Sequence, residues 1–214
     1  MMNADSTPAL PGEITRALSL TAQPKLEGWC TVEKASAMAD LIVKVRPQTV
    51  VEIGVFGARS LVPQAMALRA IQGGTIYGID PWKREAAVEG TNDPKNDDWW
   101  NKLDHHAIHK LATEAIWRFG LDDHAVLIRS TSHACFGLFQ GGIDILHIDG
   151  NHSEEASTRD VALYVPLVRK GGYIWMDDCN WATTLRARQE IEKVATKISE
   201  VATEGQLCYL YRKQ

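Results

Sequence analysis

The stretch from Ile143 to Trp181 constrains the fold of this chain more than any other. It reads Ile143-Asp-Ile-Leu-His-Ile-Asp149-Gly-Asn-His152, then a run with helical spacing, then Arg169-Lys-Gly171-Gly172-Tyr-Ile-Trp-Met-Asp177-Asp178. Two apolar runs that each end in acid, with a helix between them, make a strand–helix–strand crossover. In one sheet those strands are parallel and the crossover is right-handed. Ligands of open α/β sheets bind just beyond the carboxyl ends of the strands. Asp149, Asp177 and Asp178 would therefore share one rim, with His152 one turn on. Carboxylates gathered on one edge repel each other unless something positive is bound among them, and a divalent cation is the expected occupant.

The rest of the chain repeats the alternation. Residues 1–12 read as a loose arm, and Glu13–Leu20 as a short helix before Pro24. Apolar positions at helical spacing from Ala35 to Val45 predict a helix that ends before Pro47. Gln48–Gly54 and Thr75–Asp80 read as buried strands, separated by a helix over Arg59–Gln72 that holds Pro63 in its first turn. Pro81 to Lys102 is polar, charged and aromatic, and reads as a functional loop or substrate lid. Leu103–Phe119 is a predicted helix, Ala125–Arg129 a third strand and Ser132–Phe139 a short helix. After the crossover, Leu185–Ala195 reads as a helix, and Ile198–Thr203 with Leu207–Tyr211 as a closing antiparallel hairpin. The expected fold is a doubly wound, Rossmann-like, mostly parallel sheet of seven strands. Residues 1–30 would form the arm and short helix, and 31–214 one domain.

Composition excludes more than it assigns. A net charge of −4 with no long basic run carries no nucleic-acid footprint. No apolar run has the length of a membrane span, and no signal-peptide core is seen. The four cysteines show neither metal nor redox spacing. A cytoplasmic protein is expected, with no nucleic-acid or membrane partner. The loose arm and apolar hairpin would suit a homodimer. Of the seven tryptophans, Trp82, Trp99 and Trp100 sit in the polar segment, where they would form a substrate lid or pack against a partner subunit.

Glu52-Ile-Gly54-Val-Phe56-Gly57-Ala-Arg-Ser60 occupies a strand-to-helix turn. Glycines there allow close backbone approach, and the helix start offers free N–H groups. The Gly-x-x-Gly spacing lacks the third glycine of dinucleotide folds, and Glu52 at the mouth would repel phosphate. At the end of the second strand Asp80 stands where acids grip a ribose diol. At the end of the third, Ser130-Thr131-Ser132 offers hydroxyls to a purine edge.

With these features in order on successive strands, the chain resembles the class I S-adenosylmethionine-dependent methyltransferases over about residues 48–180. Gly78-Ile-Asp80-Pro81-Trp82 and His147-Ile-Asp149-Gly-Asn-His152-Ser are similar to a small bacterial group related to catechol and antibiotic-sugar O-methyltransferases. The resemblance implies that Glu52, Gly54, Gly57 and Ser60 line the methionine moiety, with Phe56, Trp82 and Asp149 also at the cofactor. It implies that Asp80 binds the ribose and that Ser130 or Thr131 borders the adenine. It also implies a magnesium ion held by Asp149, Asp177 and Asp178. The expected reaction is magnesium-assisted O-methylation of a small sugar, phenol or other metabolite. The alternatives are a nicotinamide-dependent oxidoreductase and a non-catalytic binding protein of the same fold.

Methyl transfer needs an acceptor oxygen that is positioned and made nucleophilic. Asp149 would serve at the metal. His152 stands where catechol enzymes carry a lysine base, and could act as base, metal ligand or substrate contact. A plain alternative for Asp149 or Asp178 is a helix cap. His147, inside a strand, reads as a hydrogen-bonded core residue. His105, His106 and His109 read as a solvated helix face.

Overall fold

The computed structural model describes Gly12, Arg16, Leu18, residues 26–203 and residues 205–214. The expected arm and most of the helix over Glu13–Leu20 lie outside the described residues.

The first continuous helix, α1 (Val32–Val45), starts at Thr31, whose hydroxyl accepts from the Lys34 amide at 3.3 Å. It stops at Arg46, which turns left-handed (φ 53°) ahead of Pro47. Then come β1 (Thr49–Ile53), α2 (Leu61–Ala70) and β2 (Thr75–Ile79). The segment expected as a loop contains two helices, α3 (Arg84–Ala87) and α4 (Pro94–Lys102). Asp93 caps α4 by accepting from the amides of Lys95 and Asn96, and Pro94 fits the first helical position. The following helix, α5 (His105–Arg118), begins two residues later than expected, because Asp104 caps it through the Ala107 amide.

The second half holds β3 (Ala125–Ile128), α6 (Ser132–Cys135) and β4 (Ile143–Ile148). It continues through α7 (Glu154–Tyr164), β5 (Val168–Met176) and α8 (Leu185–Glu192) to the hairpin β6 (Ala195–Thr203) and β7 (Gln206–Lys213). The hairpin is longer than expected, taking Ala195 from the helix.

The strands form one sheet in the order β3-β2-β1-β4-β5-β7-β6. The first five are parallel; β7 runs antiparallel to β5, and β6 antiparallel to β7. Helices cover both faces, as the near-continuous apolar strands require. On one face Met38, Ile42, Leu61 and Leu68 pack over Val50 and Ile76. On the other, Val161, Tyr164 and Ile191 pack over Val51, Leu146 and Ile174. Strand order reverses between β1 and β4, and the crevice at such a switch point is where the sheet offers a site.

Candidate active site

A cavity of about 710 Å³ opens at that crevice. Small-molecule sites run roughly 300–1,000 Å³, so the space is of the size such a site needs. Phe56 (φ 49°), Ala58 (67°), Trp82 (44°) and Asp178 (51°) hold left-handed backbone at this rim. Non-glycine residues in that region cost about 1–3 kcal/mol each and persist where the surrounding structure dictates them.

The β1 side of the cavity is a set of tight crossings. A Cβ on Gly54 (φ 87°) would lie 1.9 Å from the Asp149 carbonyl oxygen, and one on Gly57 would lie 2.6 Å from Glu27 Cβ. The backbone these glycines admit is therefore the protein's own. Asp80 ties two strand ends together. Its Oδ2 accepts from the amides of Val55 (3.1 Å) and Phe56 (3.0 Å), and its Oδ1 from that of Trp82 (2.7 Å). Burial pushes the Asp80 carboxyl upward, and these three amides offset part of the push. A carboxylate has about four lone-pair sites, which leaves it capacity for a ligand.

The expectation that Glu52 stands at the mouth is corrected. Glu52 is fully buried, accepts from Ser60 Oγ and Gln64 Nε2 (both 2.7 Å), and lies 3.3 Å from His147 Nδ1. His147 is also fully buried and donates from Nε2 to Asp177 Oδ2 at 2.7 Å. Burial alone would lower this imidazole, but Asp177 and Glu52 outweigh it and push the ring up to about 9.

Asp177 has a second partner that sequence reading missed. Lys34, from the first turn of α1, is 5% exposed; its Nζ binds Asp177 Oδ2 and lies 3.4 Å from Asp149 Oδ2. Burial opposes a charged lysine, yet the two aspartates overcome it and hold Lys34 well above its ordinary value. Asp177, held by Lys34 and His147 despite its burial, stays below the usual carboxylate range. Asp149 is raised, by burial first and then by Asp177. The positive charge that the acidic rim requires is thus partly internal. Its sequence signal was a lysine on the apolar stripe that also carries Ala35, Met38 and Ile42.

The remaining carboxylates face the cavity. Asp149, His152 and Asp178 bring one ligand atom each to within 4.8 Å of one another, and His147, Asp149 and Asp177 do the same. His152 Nε2 lies 2.7 Å from Asp178 Oδ2 but makes no well-formed hydrogen bond to it. Burial would lower the ring, but Asp178, Asp149 and Asp177 keep it raised. Neither acid is a helix cap, since Ser153 caps α7 and Thr184 stands at the start of α8.

Aromatic side chains form another wall. Trp29, Phe56, Trp99 and Trp100 cluster with ring centroids 4.8–6.2 Å apart. Trp29 and Trp99 remain about half exposed. Trp82 does not belong to a lid: it is 3% exposed, and its indole N–H donates to the Phe56 carbonyl at 3.0 Å. The solvated histidine face holds only for His106, since His105 packs on Trp100 and His109 on Trp82.

Among the expected residues, Gly54, Phe56, Ser60, Asp80, Trp82, Thr131, Asp149, His152, Asp177 and Asp178 line the one cavity. Glu52, Gly57 and Ser130 do not line it.

Comparison with known proteins agrees with this architecture. A family model described as a methyltransferase domain matches residues 51–179. Over 132 residues the chain is 35% identical to an uncharacterised protein of Acanthamoeba polyphaga mimivirus, covering 61% of this chain and 51% of that protein. The chain thus spans about half the length of the curated relative it matches. Among solved structures, the O-methyltransferase TomG of Streptomyces achromogenes, involved in tomaymycin synthesis and solved with SAM, gives a TM-score of 0.62. Its identity is 16%, over 100% of this chain and 92% of that one. An O-methyltransferase of Bacillus cereus in complex with SAH gives 0.59 at 16% identity, over 100% and 93%. At such identities the likeness is one of fold.

Proposed function

This chain belongs to the methyltransferase-domain family, and on that premise we propose that it transfers the methyl group of S-adenosylmethionine to a hydroxyl oxygen of a small molecule. The observation that carries this reading is the single cavity joining the β1–β2 turns to the acidic ends of β4 and β5. Asp80, with a lone pair to spare, takes the ribose diol. Gly54, Phe56 and Ser60 border the methionine portion, and Thr131 the adenine. Trp29 and Trp99 offer faces on which a planar or ring-shaped acceptor stacks.

The donor set also suits a divalent cation. Two carboxylates and an imidazole whose Nε2 has no well-formed hydrogen bond converge at Asp149, Asp178 and His152. Asp149 and Asp178 would hold the ion, while Asp177 stays with Lys34 and His147. Magnesium there would supply a Lewis acid for the acceptor oxygen and take up the charge of both carboxylates. His152, whose Nε2 faces the cavity side of Asp178 without a well-formed hydrogen bond, would take the hydroxyl proton on that nitrogen. The acceptor oxygen then forms its bond to the methyl carbon as the carbon–sulfur bond breaks, and S-adenosylhomocysteine leaves with the electron pair.

Calorimetry with S-adenosylmethionine and S-adenosylhomocysteine tests the reading directly. Saturable binding of both is expected, and no binding of either at sub-millimolar ligand overturns it. A nicotinamide-dependent oxidoreductase, the other enzyme this fold class suggests, finds no support in the family match.

A further inference from the structure

Among the buried residues of α1, which include Ala35, Met38, Ala39 and Ile42, Lys34 is the charged one. Its amide is fixed to the Thr31 cap, and its side chain is 6% exposed. A surface lysine can swing its ammonium into water when another cation arrives. Here the packing of α1 encloses the stem, so the charge stays at the rim. Nζ bonds Asp177 Oδ2 and lies 3.4 Å from Asp149 Oδ2, and His147 Nε2 approaches the same two oxygens at 2.7 and 3.8 Å. A fixed ammonium therefore stands between Asp177 and a carboxylate that faces the cavity. His147, Asp149 and Asp177 bring one ligand atom each to within 4.8 Å of one another, and Asp149 belongs equally to the set with His152 and Asp178. The acid that Lys34 engages is thus within reach of an ion held at Asp149.

We propose that Lys34 is a resident competitor of the divalent cation: it withholds Asp177 from the ion, repels the ion at Asp149, and so keeps metal binding weak. The inference rests on the metal reading above, in which Asp149, Asp178 and His152 surround the ion. The number of charged ligands sets the affinity of hard-cation sites over orders of magnitude, and three carboxylates hold such an ion more tightly than two. A fixed positive charge a few ångströms from a divalent ion adds a repulsion that the protein interior screens less than water does. Removing the ammonium should therefore improve the metal site even as it loosens the fold. A lysine with a purely structural role would act with the opposite sign, since a loosened rim binds metal less well.

Titration of the full chain with manganese chloride, followed by loss of the free-ion electron paramagnetic resonance signal, reads the site without substrate or turnover. Magnesium chloride then competes for the same site. Lys34→Met should bind manganese about tenfold more tightly than the wild type, or better, and Lys34→Met with Asp177→Asn should lose most of that gain. An affinity that is unchanged or weaker in folded Lys34→Met overturns the proposal, and so does a gain that Asp177→Asn leaves whole. Should Lys34→Met fail to fold by circular dichroism, Lys34→Gln decides. It keeps a donor for Asp177 without the charge and should bind severalfold more tightly; an unchanged affinity counts against Lys34. If neither the wild type nor a folded variant binds manganese at millimolar concentration, the metal reading fails and the proposal with it. Wild-type binding with no gain in the variants sinks the proposal alone.

Discussion

Lys34 brings a charge to a place where its helical neighbours exclude water, and only Asp177 and Asp149 make that tolerable. Replacing it with methionine would leave the buried Asp177 with His147 as its remaining cation. Losing one partner of a buried pair costs about 3–5 kcal/mol. Lys34→Met should therefore lower stability by that order in urea denaturation, and Lys34→Met with Asp177→Asn should recover part of it. A single-variant loss below about 1 kcal/mol would show that solvent reaches the pair. Asp160, a buried acid on α7 whose Oδ1 accepts from Ser132 Oγ, makes a prediction of opposite character. Its carboxyl is raised from 3.8 to about 6 in the folded chain, so the folded state holds a proton that the unfolded chain releases. Its contribution to stability is thus greatest at low pH and falls as pH rises from about 4 to about 6. Relative to Asp160→Asn, the ligand-free wild type should lose up to about 3 kcal/mol across that window. Parallel pH–stability curves for the two proteins would contradict it.

At the scale of elements, the end of α3 is latched onto α7 and the turn before it rather than left as a free flap. Asn151 donates from one amide nitrogen to the carbonyls of Ala86, Ala87 and Glu89 at 2.9–3.0 Å, while its own oxygen accepts from the Ser153 amide at 2.7 Å. Glu89 adds the bidentate pair with Arg159. Asn151→Ala should speed amide hydrogen exchange across residues 86–90 by tenfold or more, corresponding to about 1.4 kcal/mol of local stability, while β1 and β4 stay protected. Exchange that rises equally in the strands would mean the whole fold had been loosened. This latch was not legible in the sequence. An asparagine after a strand-ending Asp-Gly reads as a turn former, and the carbonyls it meets lie more than sixty residues away. The two helices in the segment had local cues, Asp93-Pro94 above all, which its polar and aromatic content obscured.

For the molecule as a whole, function depends on bringing together the ends of strands distant in sequence. If Asp149 and Asp178 hold a divalent cation, millimolar magnesium should raise the melting temperature of the wild type, and Asp178→Asn should abolish the rise. A ligand at a hundred times its Kd stabilises by about 2.7 kcal/mol, enough to be seen. Methyl transfer that survives EDTA and the double change Asp149→Ala with Asp178→Ala would remove the metal from the mechanism. By itself the sequence determined the architecture and the identity of the rim. Strand periodicity, the crossover and the acids ending β2, β4 and β5 are local patterns, and a parallel sheet leaves those ends little choice of side. Only the tertiary structure decided how the three rim acids divide. Lys34 is 143 residues from Asp177 along the chain, and only the packing of α1 brings it there. Asp177 is thereby neutralised from within, and Asp149 and Asp178 are left to face the cavity. That division follows from burial and opposite charge at close range, which depend on three-dimensional distance and leave no trace in spacing along the chain.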